Sequence, residues 1–384
     1  MALASFWNRD GQREQLPVMP SSFERWTVGD DIEHSRREFL DRIEAALSSK
    51  VMSTDVRSAQ RNLVLEIELE DGRREIVRAP VQGQELSAWS QDMFESEVAL
   101  LSWLCERTSL PVPRIRCVVR RSECEPQTFA VMEKLPGDCL LNIFGDLPFS
   151  AKESLIRATA EMMLQLHNVE VPQRIGTTLV RDNVVNVIPL LAPRLAASTS
   201  RVFDTLEEYI DALIEERRAS NLIDIREDAD RSSANAMLNR LVEELPPILH
   251  RLSAPAYRRC VLSHGDLHGA NVLIDHAGRI SGLVDWEFHS TRPLVLEAQY
   301  PACIQYDGAY DPRFAQERMW WFCSPEDAAR LRVVYAEAIK AKDKDYWRAL
   351  TGGELLRQIE GWLTVGSSES DRRRMAAWMN TVFP

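Results

Sequence analysis

Apolar residues in the first 140 positions change from a helical to an extended spacing. Between residues 31 and 48 they recur every three or four positions, which predicts a helix. In NLVLEIELEDGRREIVRAP they alternate with polar residues, which predicts two strands joined at Asp71-Gly72, a hairpin-turn signal. DMFESEVALLSWLCERT returns to helical spacing, and LPVPRIRCVVRR and QTFAVMEKLPG predict further strands. Residues 50–137 are therefore expected to form three strands, a helix and two strands.

The chain beyond residue 137 is mainly of helical pattern. AKESLIRATAEMMLQLHNV, DTLEEYIDALIEERRAS and SANAMLNRLVEELPPILHRLSAP predict helices, and so do residues 324–382. Two short strands, NVLID and ISGLVDW, interrupt them. The pattern predicts an α+β protein in three parts. Residues 1–49 form an extension and a helix, residues 50–137 a β-rich lobe and residues 138–384 a helical lobe. We expect the extension to pack its aromatic residues on the body or to be partly disordered.

Composition excludes several classes of protein. The net charge of −12 argues against a nucleic-acid partner, which needs a basic surface, and weakly favours a cationic ligand. The sequence holds no apolar run long enough to span a membrane, and its N-terminus lacks the pattern of a signal peptide. Seven cysteines without a CxxC pair predict free thiols, and hence a cytoplasmic location.

The segment LSHGDLHGANVLIDHAGRISGLVDWEFHS, residues 262–290, carries the candidate chemistry. Asp266 precedes Asn271 by five positions, and Asp285 follows at the end of the predicted hairpin. Phosphoryl transfer requires a carboxylate near the acceptor hydroxyl and oxygen ligands for Mg²⁺. Because an antiparallel hairpin would return Asp285 to the side of Asn271, the spacing predicts a phosphotransferase site.

Other interpretations of this segment remain open. Asp266 and Asn271 can each be ordinary turn residues. His264 and His268 are spaced like two zinc ligands of a metal hydrolase, although Gly265 and Gly269 disfavour the helix that such pairs use. A protein kinase would carry an A-P-E-like sequence after its second metal carboxylate, and none follows Asp285.

The motif HGDLHGANVLID…GLVDWE resembles the aminoglycoside phosphotransferase and choline-kinase-like family of small-molecule kinases, and STRPLVLEAQYP resembles a subgroup abundant in fungi. The resemblance covers roughly residues 50–330 and implies a two-lobed protein-kinase-like fold. The small antiparallel-sheet N-lobe would bind nucleotide, and the larger C-lobe would be mostly helical. ATP and Mg²⁺ would be the cofactors. The second substrate would be a small-molecule hydroxyl acceptor like an aminoglycoside, choline or a sugar, with no membrane partner and no implied oligomeric state.

The resemblance also implies roles for individual residues of the segment. Asp266 would be the catalytic base, and His264 would brace its loop by hydrogen bonding. Asn271 and Asp285 would bind Mg²⁺. Glu287 would touch the metal or the substrate, or merely cap the hairpin.

On the N-lobe, the resemblance implies a nucleotide site. Arg78 stands where the family usually has lysine and would hold the phosphates, because a guanidinium can pair with phosphate and carboxylate. Its helix partner would be Glu97, with Glu95 competing for that role. Adenine would meet the backbone of the lobe connector, at Met132, Glu133 and Leu135.

The segment SSKVMSTDVRSAQRN departs from the pattern because it contains no glycine, the residue that lets backbone amides approach phosphates. Ser53, Thr54 and Ser58 could substitute for it as phosphate contacts. The alternative is a catalytically weak pseudokinase, or a nucleotide- or ligand-binding protein of the same fold.

Two further features suit a cationic acceptor. The predicted helix 204–219 carries acids off its apolar face, namely Glu207, Glu208, Asp211 and Glu215. Trp320 and Trp321 could line an amine pocket. A solvated helix face and core packing are the simpler explanations.

Overall fold

The computed structural model describes residues 3–17, 30–59, 62–80, 88–122, 127–190, 201–366 and 368–384, with the backbone alone at 30–36, 58–59 and 88–91. The strands are β1 Leu3–Trp7, β2 Arg13–Pro17, β3 Val51–Ala59, β4 Asn62–Leu69, β5 Arg74–Pro80, β6 Ile115–Val119, β7 Phe129–Glu133, β8 Asp138–Cys139, β9 Gly176–Arg181, β10 Val184–Ile188, β11 Cys260–Ser263, β12 Val272–Ile274, β13 Ile280–Leu283 and β14 Ser290–Pro293. The helices are α1 Asp30–Leu47, α2 Ala88–Arg107, α3 Leu140–Ile143, α4 Phe149–His167, α5 Leu206–Asp224, α6 Asp228–Arg251, α7 Pro255–Arg258, α8 Leu294–Glu297, α9 Pro325–Lys342, α10 Lys344–Gly352, α11 Glu354–Thr364 and α12 Glu369–Val382. Short 3₁₀ turns lie at Phe144–Asp146, Ala302–Ile304 and Gly308–Tyr310.

A five-stranded antiparallel sheet of order β3-β4-β5-β7-β6 forms the N-lobe. The alternating leucines and isoleucine of β4 are buried, as period two requires. Phe39 and Ile43 of α1 pack in the same core as these residues. Phe94 and Val98 of α2 pack with Ala130 and Met132 in a second cluster. The predicted order of elements in residues 50–137 is confirmed.

The C-lobe holds the segment that carries the candidate chemistry. After β7 the chain reaches β8, which pairs with β12, and β12 pairs with β13 as the predicted hairpin. Val261, Leu262, Leu283 and Trp286 are fully buried in the core that also contains α4 and α9. Because apolar anchors flank the polar loop on both sides, its position is set by core packing. The α+β class is confirmed.

The N-terminal extension divides between the two lobes. Strands β1 and β2 form a hairpin, which the sequence analysis did not predict. Trp7 exchanges backbone hydrogen bonds of 2.9 Å with Trp321, so both tryptophans are structural. The aromatic residues Phe23 and Trp26 lie outside the described residues. Helix α1, by contrast, packs on the N-lobe sheet.

The C-lobe contains one further sheet that periodicity did not reveal, of order β10-β9-β14-β11. Strand β11 leads directly into the polar loop, and β14 follows the hairpin, so this sheet holds both ends of the segment. None of the helices described is both long and apolar enough to cross a membrane. The six cysteines in the described ranges are free thiols.

Candidate active site

The loop between β11 and β12 depends on a glycine. Gly265 has φ of +79°, and a Cβ at this position would lie 2.1 Å from the carbonyl oxygen of Phe288. Both the backbone conformation and the close approach exclude a side chain. The glycine of the HGD motif therefore lets the loop turn against the end of the β12–β13 hairpin.

His264 joins this loop to the hairpin. It is buried, its Nε2 lies 3.0 Å from the carbonyl oxygen of Val284, and its Nδ1 lies 3.4 Å from the Asp266 amide. One neutral tautomer satisfies both contacts, with Nε2–H donating and Nδ1 accepting. Burial lowers the pKa of His264 to about 4, so the imidazole ring stays neutral near pH 7. The bracing role expected for His264 fits this geometry.

Asn271 and Asp285 are brought together as the hairpin predicted. The Asn271 Nδ2 donates to the Asp266 carbonyl oxygen at 2.8 Å, and the Val284 amide donates to the Asn271 carbonyl oxygen at 3.0 Å. Because Nδ2 is engaged, Oδ1 is the side-chain atom of Asn271 that can serve as a metal ligand. Asp285 has φ of +66°, a left-handed conformation that aspartate tolerates.

The Asp266 carboxylate is partly exposed, beside the more exposed His268. Its side chain is 40% exposed, and its Oδ2 lies 3.5 Å from His268 Nε2. The hydrogen bond to Asp266 raises the pKa of His268. His268 Nδ1 accepts from the Ala270 amide at 3.2 Å, so this histidine is occupied within its own loop.

Arg78 is the buried cation between the two lobes. Its Nη2 lies 3.3 Å from Glu97 Oε2 and 2.9 Å from Glu287 Oε2, and its Nη1 lies 2.8 Å from Asp285 Oδ1. Glu95 lies on the outer side of α2, 4.0 Å from Arg120. The structure thus pairs Arg78 with Glu97 and not with Glu95.

This cluster carries excess negative charge. Burial opposes ionisation of Arg78, but Glu97, Asp285 and Glu287 outweigh it and raise the arginine pKa. Burial raises the pKa of Glu97 to about 7, with Arg78 opposing the shift and the other two carboxylates adding to it. One guanidinium therefore serves three carboxylates. A divalent cation would balance the negative charge that Arg78 leaves uncompensated.

Asn62 is a member of the site that the sequence analysis missed. Its Nδ2 donates to Glu287 Oε2 at 2.8 Å, from the first residue of β4. This contact and the Arg78 ion pair give Glu287 a defined place beneath the N-lobe sheet. No local pattern at residue 62 signals the contact, since its partner lies 225 positions away.

The lobe connector runs along one wall of the interlobe region. Met132 is buried in β7, and the Glu133 amide donates to the Arg114 carbonyl oxygen at 2.8 Å. Leu135 packs over the β12–β13 hairpin, because a methyl group at Gly282 would lie 2.9 Å from its Cδ1. The connector thus lies beside the hairpin that bears Asp285.

Ser53 and Thr54 are placed away from these groups. They pair in register with Glu68 and Ile67, whereas Arg78 pairs with Val64. The offsets of four positions for Ser53 and three for Thr54 correspond to roughly 13 and 10 Å along the strand. The Ser53 hydroxyl instead lies 3.4 Å from Glu68 Oε2. The structure does not bring them to the Arg78 cluster, and the Ser58 side chain lies outside the described residues.

A cavity of about 500 Å³ lies in the C-lobe beside the loop that bears Asp266. It is lined by Asp266 and His268 and by side chains of α4, α5, α8 and α11. Among the described residues, no group of three or more His, Cys, Asp or Glu side chains has the arrangement of a metal site, which gives the zinc hydrolase hypothesis no support.

Residues 54–378 match the phosphotransferase enzyme family, APH. Clavilactone A biosynthesis cluster protein Y of Ampulloclitocybe clavipes is 38% identical over 380 residues, which cover 97% of this chain and 94% of that protein.

Two solved structures show the same fold. Aminoglycoside phosphotransferase APH(4)-Ia has a TM-score of 0.55 at 17% identity, over 91% of this chain and 99% of that chain. A thermostable mutant of APH(4)-Ia, in ternary complex with AMP-PNP and hygromycin B, has a TM-score of 0.54 at 15% identity, over 90% and 98%. These likenesses confirm the two-lobed protein-kinase-like fold.

Proposed function

The chain belongs to the phosphotransferase enzyme family, and on that premise we propose that it is an ATP- and Mg²⁺-dependent kinase acting on a hydroxyl of a small molecule. One observation carries the proposal: the loop and the hairpin bring Asp266, Asn271 and Asp285 together, and Asp266 also lines a cavity of the C-lobe. A relative named for a biosynthesis cluster supports a small-molecule substrate. The free thiols support a cytoplasmic location.

Asp266 is the base in this proposal. Its carboxylate accepts the proton of the acceptor hydroxyl while the hydroxyl oxygen bonds to the γ-phosphorus. The bond from that phosphorus to the oxygen bridging the β-phosphate breaks, and ADP leaves. Asn271 and His264 hold Asp266 through its backbone, which fixes the direction of the carboxylate.

The residues present fit Mg²⁺. An amide oxygen from Asn271 and a carboxylate from Asp285 are the hard oxygen ligands that Mg²⁺ prefers, with the remaining positions left to phosphates and water. The surplus of carboxylates around Arg78 supplies the matching charge. When bound, the ion would neutralise charge on the β- and γ-phosphates.

Arg78 would hold the phosphates while Glu97 holds Arg78. Glu287 accepts hydrogen bonds from Arg78 and Asn62, which favours a role in positioning the groups around the metal site. Met132, Glu133 and Leu135 would receive the adenine, because the connector borders the hairpin that bears Asp285. We do not include Ser53 and Thr54 in the phosphate site, since their register places them elsewhere.

The direct test is phosphate transfer from radiolabelled ATP by the full chain and its Asp266→Asn variant. Loss of a positioned base should lower turnover by roughly 10²- to 10⁴-fold. Mg-ATP should raise the melting temperature of both proteins equally, because Asp266 does not bind nucleotide in this scheme.

Asp211→Asn is the matched control, since Asp211 is exposed on α5 outside the cavity. Equal turnover by Asp266→Asn and the wild-type chain would refute the assignment of the base. Mg-ATP binding with no transfer to any acceptor would favour the alternative, a nucleotide-binding protein or weak pseudokinase of this fold.

A further inference from the structure

About half of the wall of the cavity beside Asp266 is apolar. Helices α4, α5 and α8 and the end of the catalytic segment contribute Met162, Met163, Leu166, Leu213, Leu296 and Phe288 to it. A volume of about 500 Å³ is within the range of pockets that enclose drug-sized molecules. The carbon skeleton of an acceptor would therefore be buried against hydrocarbon.

Two of the carboxylates that line the cavity share one arginine. Arg292 lies 3.1 Å from Glu297 through Nε and contacts Glu360 through Nη2. The Tyr209 hydroxyl donates to Glu360 Oε1 at 2.7 Å, and the Arg292 guanidinium lies 5.5 Å from the centroid of the Tyr209 ring. Neither carboxylate is free for a ligand, and one face of the tyrosine is already occupied.

The other two carboxylates of the interior are also matched by arginines. Arg332 lies 2.9 Å from Asp307 and 3.9 Å from Glu354, and its guanidinium lies 4.2 Å from the Tyr300 ring centroid. Arg357, half-buried in the same wall, adds a third positive charge that backbone carbonyl oxygens hold. Apart from Asp266, four carboxylates thus meet three guanidiniums.

The remaining acidic candidates lie elsewhere. The acids of α5 (Glu207, Glu208, Asp211 and Glu215) do not line the cavity. Glu207 instead pairs with Arg258 at 2.5 Å, and Glu208 accepts a hydrogen bond from the Asp204 amide. Trp320 and Trp321 are absent from the lining too. The explanation of a solvated helix face holds for the acids of α5, and that of core packing holds for Trp321, which is buried with Trp7 and Ala315.

We infer that the acceptor is an uncharged alcohol with a partly apolar carbon skeleton, and not a polyamine such as an aminoglycoside or a quaternary amine. This inference rests on the proposed function, because it names the substrate class of that site. A polycation would need several unpaired carboxylates to replace its hydration, whereas each of the four wall carboxylates other than Asp266 already contacts an arginine. An apolar alcohol would bury its skeleton and present one hydroxyl to Asp266.

Calorimetric titration of the full chain with pairs of alcohols that differ in one ammonium group tests the inference. Phenylpropanol and phenylalaninol form such a pair, and geraniol and neomycin extend the neutral and cationic sets. The neutral member should bind roughly tenfold more tightly or better, because the ammonium loses hydration without gaining a partner. Equal or tighter binding of the ammonium-bearing members, or no binding by any neutral alcohol, would overturn the inference.

Arg332→Gln provides a second test that does not depend on the choice of skeleton. It would free Asp307 and Glu354, so the preference for the neutral member should narrow by roughly fivefold or more. Arg330→Gln is the control, because Arg330 lies on the same helix and contacts Asp327 at 4.0 Å and the Phe149 ring, neither of which lines the cavity. Equal effects of the two variants would count against the inference.

Different results would contradict the proposed function. Absence of Mg-ATP binding, or transfer that survives Asp266→Asn, would contradict the kinase proposal whatever the alcohol titrations show. Asp266-dependent transfer to neomycin with no transfer to neutral alcohols would preserve the kinase proposal and overturn the inference about the acceptor.

Discussion

Glu97→Gln tests the idea that the interlobe cluster holds more negative charge than Arg78 can balance. Glu97 is buried against Arg78 and accepts a hydrogen bond of 3.1 Å from the Trp286 amide. Gln keeps the shape of the side chain and removes its ionisation. The variant therefore isolates the pH-dependent part of the contribution of Glu97 to stability.

The magnitude follows from the pKa of Glu97, which burial raises from 4.5 to about 7. Between these values the unfolded chain has ionised Glu97 while the folded chain still holds the proton, so rising pH favours unfolding. At about 1.4 kcal/mol for each pKa unit, the folded wild-type chain loses about 3 kcal/mol across this window. The Gln variant does not incur this loss.

Urea unfolding at several values from about pH 5 to about pH 8 measures the effect. The free energy of unfolding of Glu97→Gln, minus that of the wild-type chain, should rise by about 2–3 kcal/mol over the range. Glu95→Gln, which removes an exposed carboxylate from the same helix, reports the effect of net charge alone. A difference for Glu97→Gln that stays constant with pH, or follows Glu95→Gln, would refute the reasoning.

Three further variants test the site. Gly265→Ala should lower the free energy of unfolding by roughly 2–4 kcal/mol in urea, because its Cβ would meet the Phe288 carbonyl oxygen at 2.1 Å. Gly278→Ala is its control, with φ of +76° and no atom within 4 Å of the added Cβ, and an equal loss in both would contradict the steric argument. Arg78→Met should lower the free energy of unfolding by about 3–5 kcal/mol, because it leaves buried carboxylates without a cation. The loss should appear as a fall in melting temperature, and Arg78→Lys should cause a smaller fall. Asp285→Asn should lower turnover by roughly 10²-fold and raise the Mg²⁺ concentration needed for half-maximal rate, measured from initial rates, and an unchanged Mg²⁺ requirement would exclude it as a ligand.

The part of the site that the sequence predicted is the part built by local geometry. Asp266, Asn271 and Asp285 lie within twenty positions, on a loop and a hairpin whose register follows from the alternation of apolar residues. Short-range patterns suffice there because few arrangements of such a hairpin bury its apolar face. Arg78 and Glu97 came from the family resemblance instead, and the structure pairs them.

The phosphate segment shows where local patterns fail. Without a glycine, the stretch contains no signal that locates a turn. Ser53 and Thr54 were therefore assigned to a phosphate-binding loop, although they belong to strand β3. Register set by β4 then separates them from Arg78. The same dependence on tertiary pairing explains Asn62, whose contact with Glu287 joins residues that only the closed sheet and hairpin bring together.

The acceptor pocket shows why total charge is a poor guide to a ligand. A net charge of −12 weakly favoured a cationic substrate, yet the acids of α5 lie outside the cavity, and four of the five acids inside it contact an arginine. Arg292 and Arg332 reach their carboxylates only because α8, α9 and α11 converge on one wall. Since desolvating a charge is costly, what a pocket selects depends on its unpaired charges, and these are set by packing between distant helices.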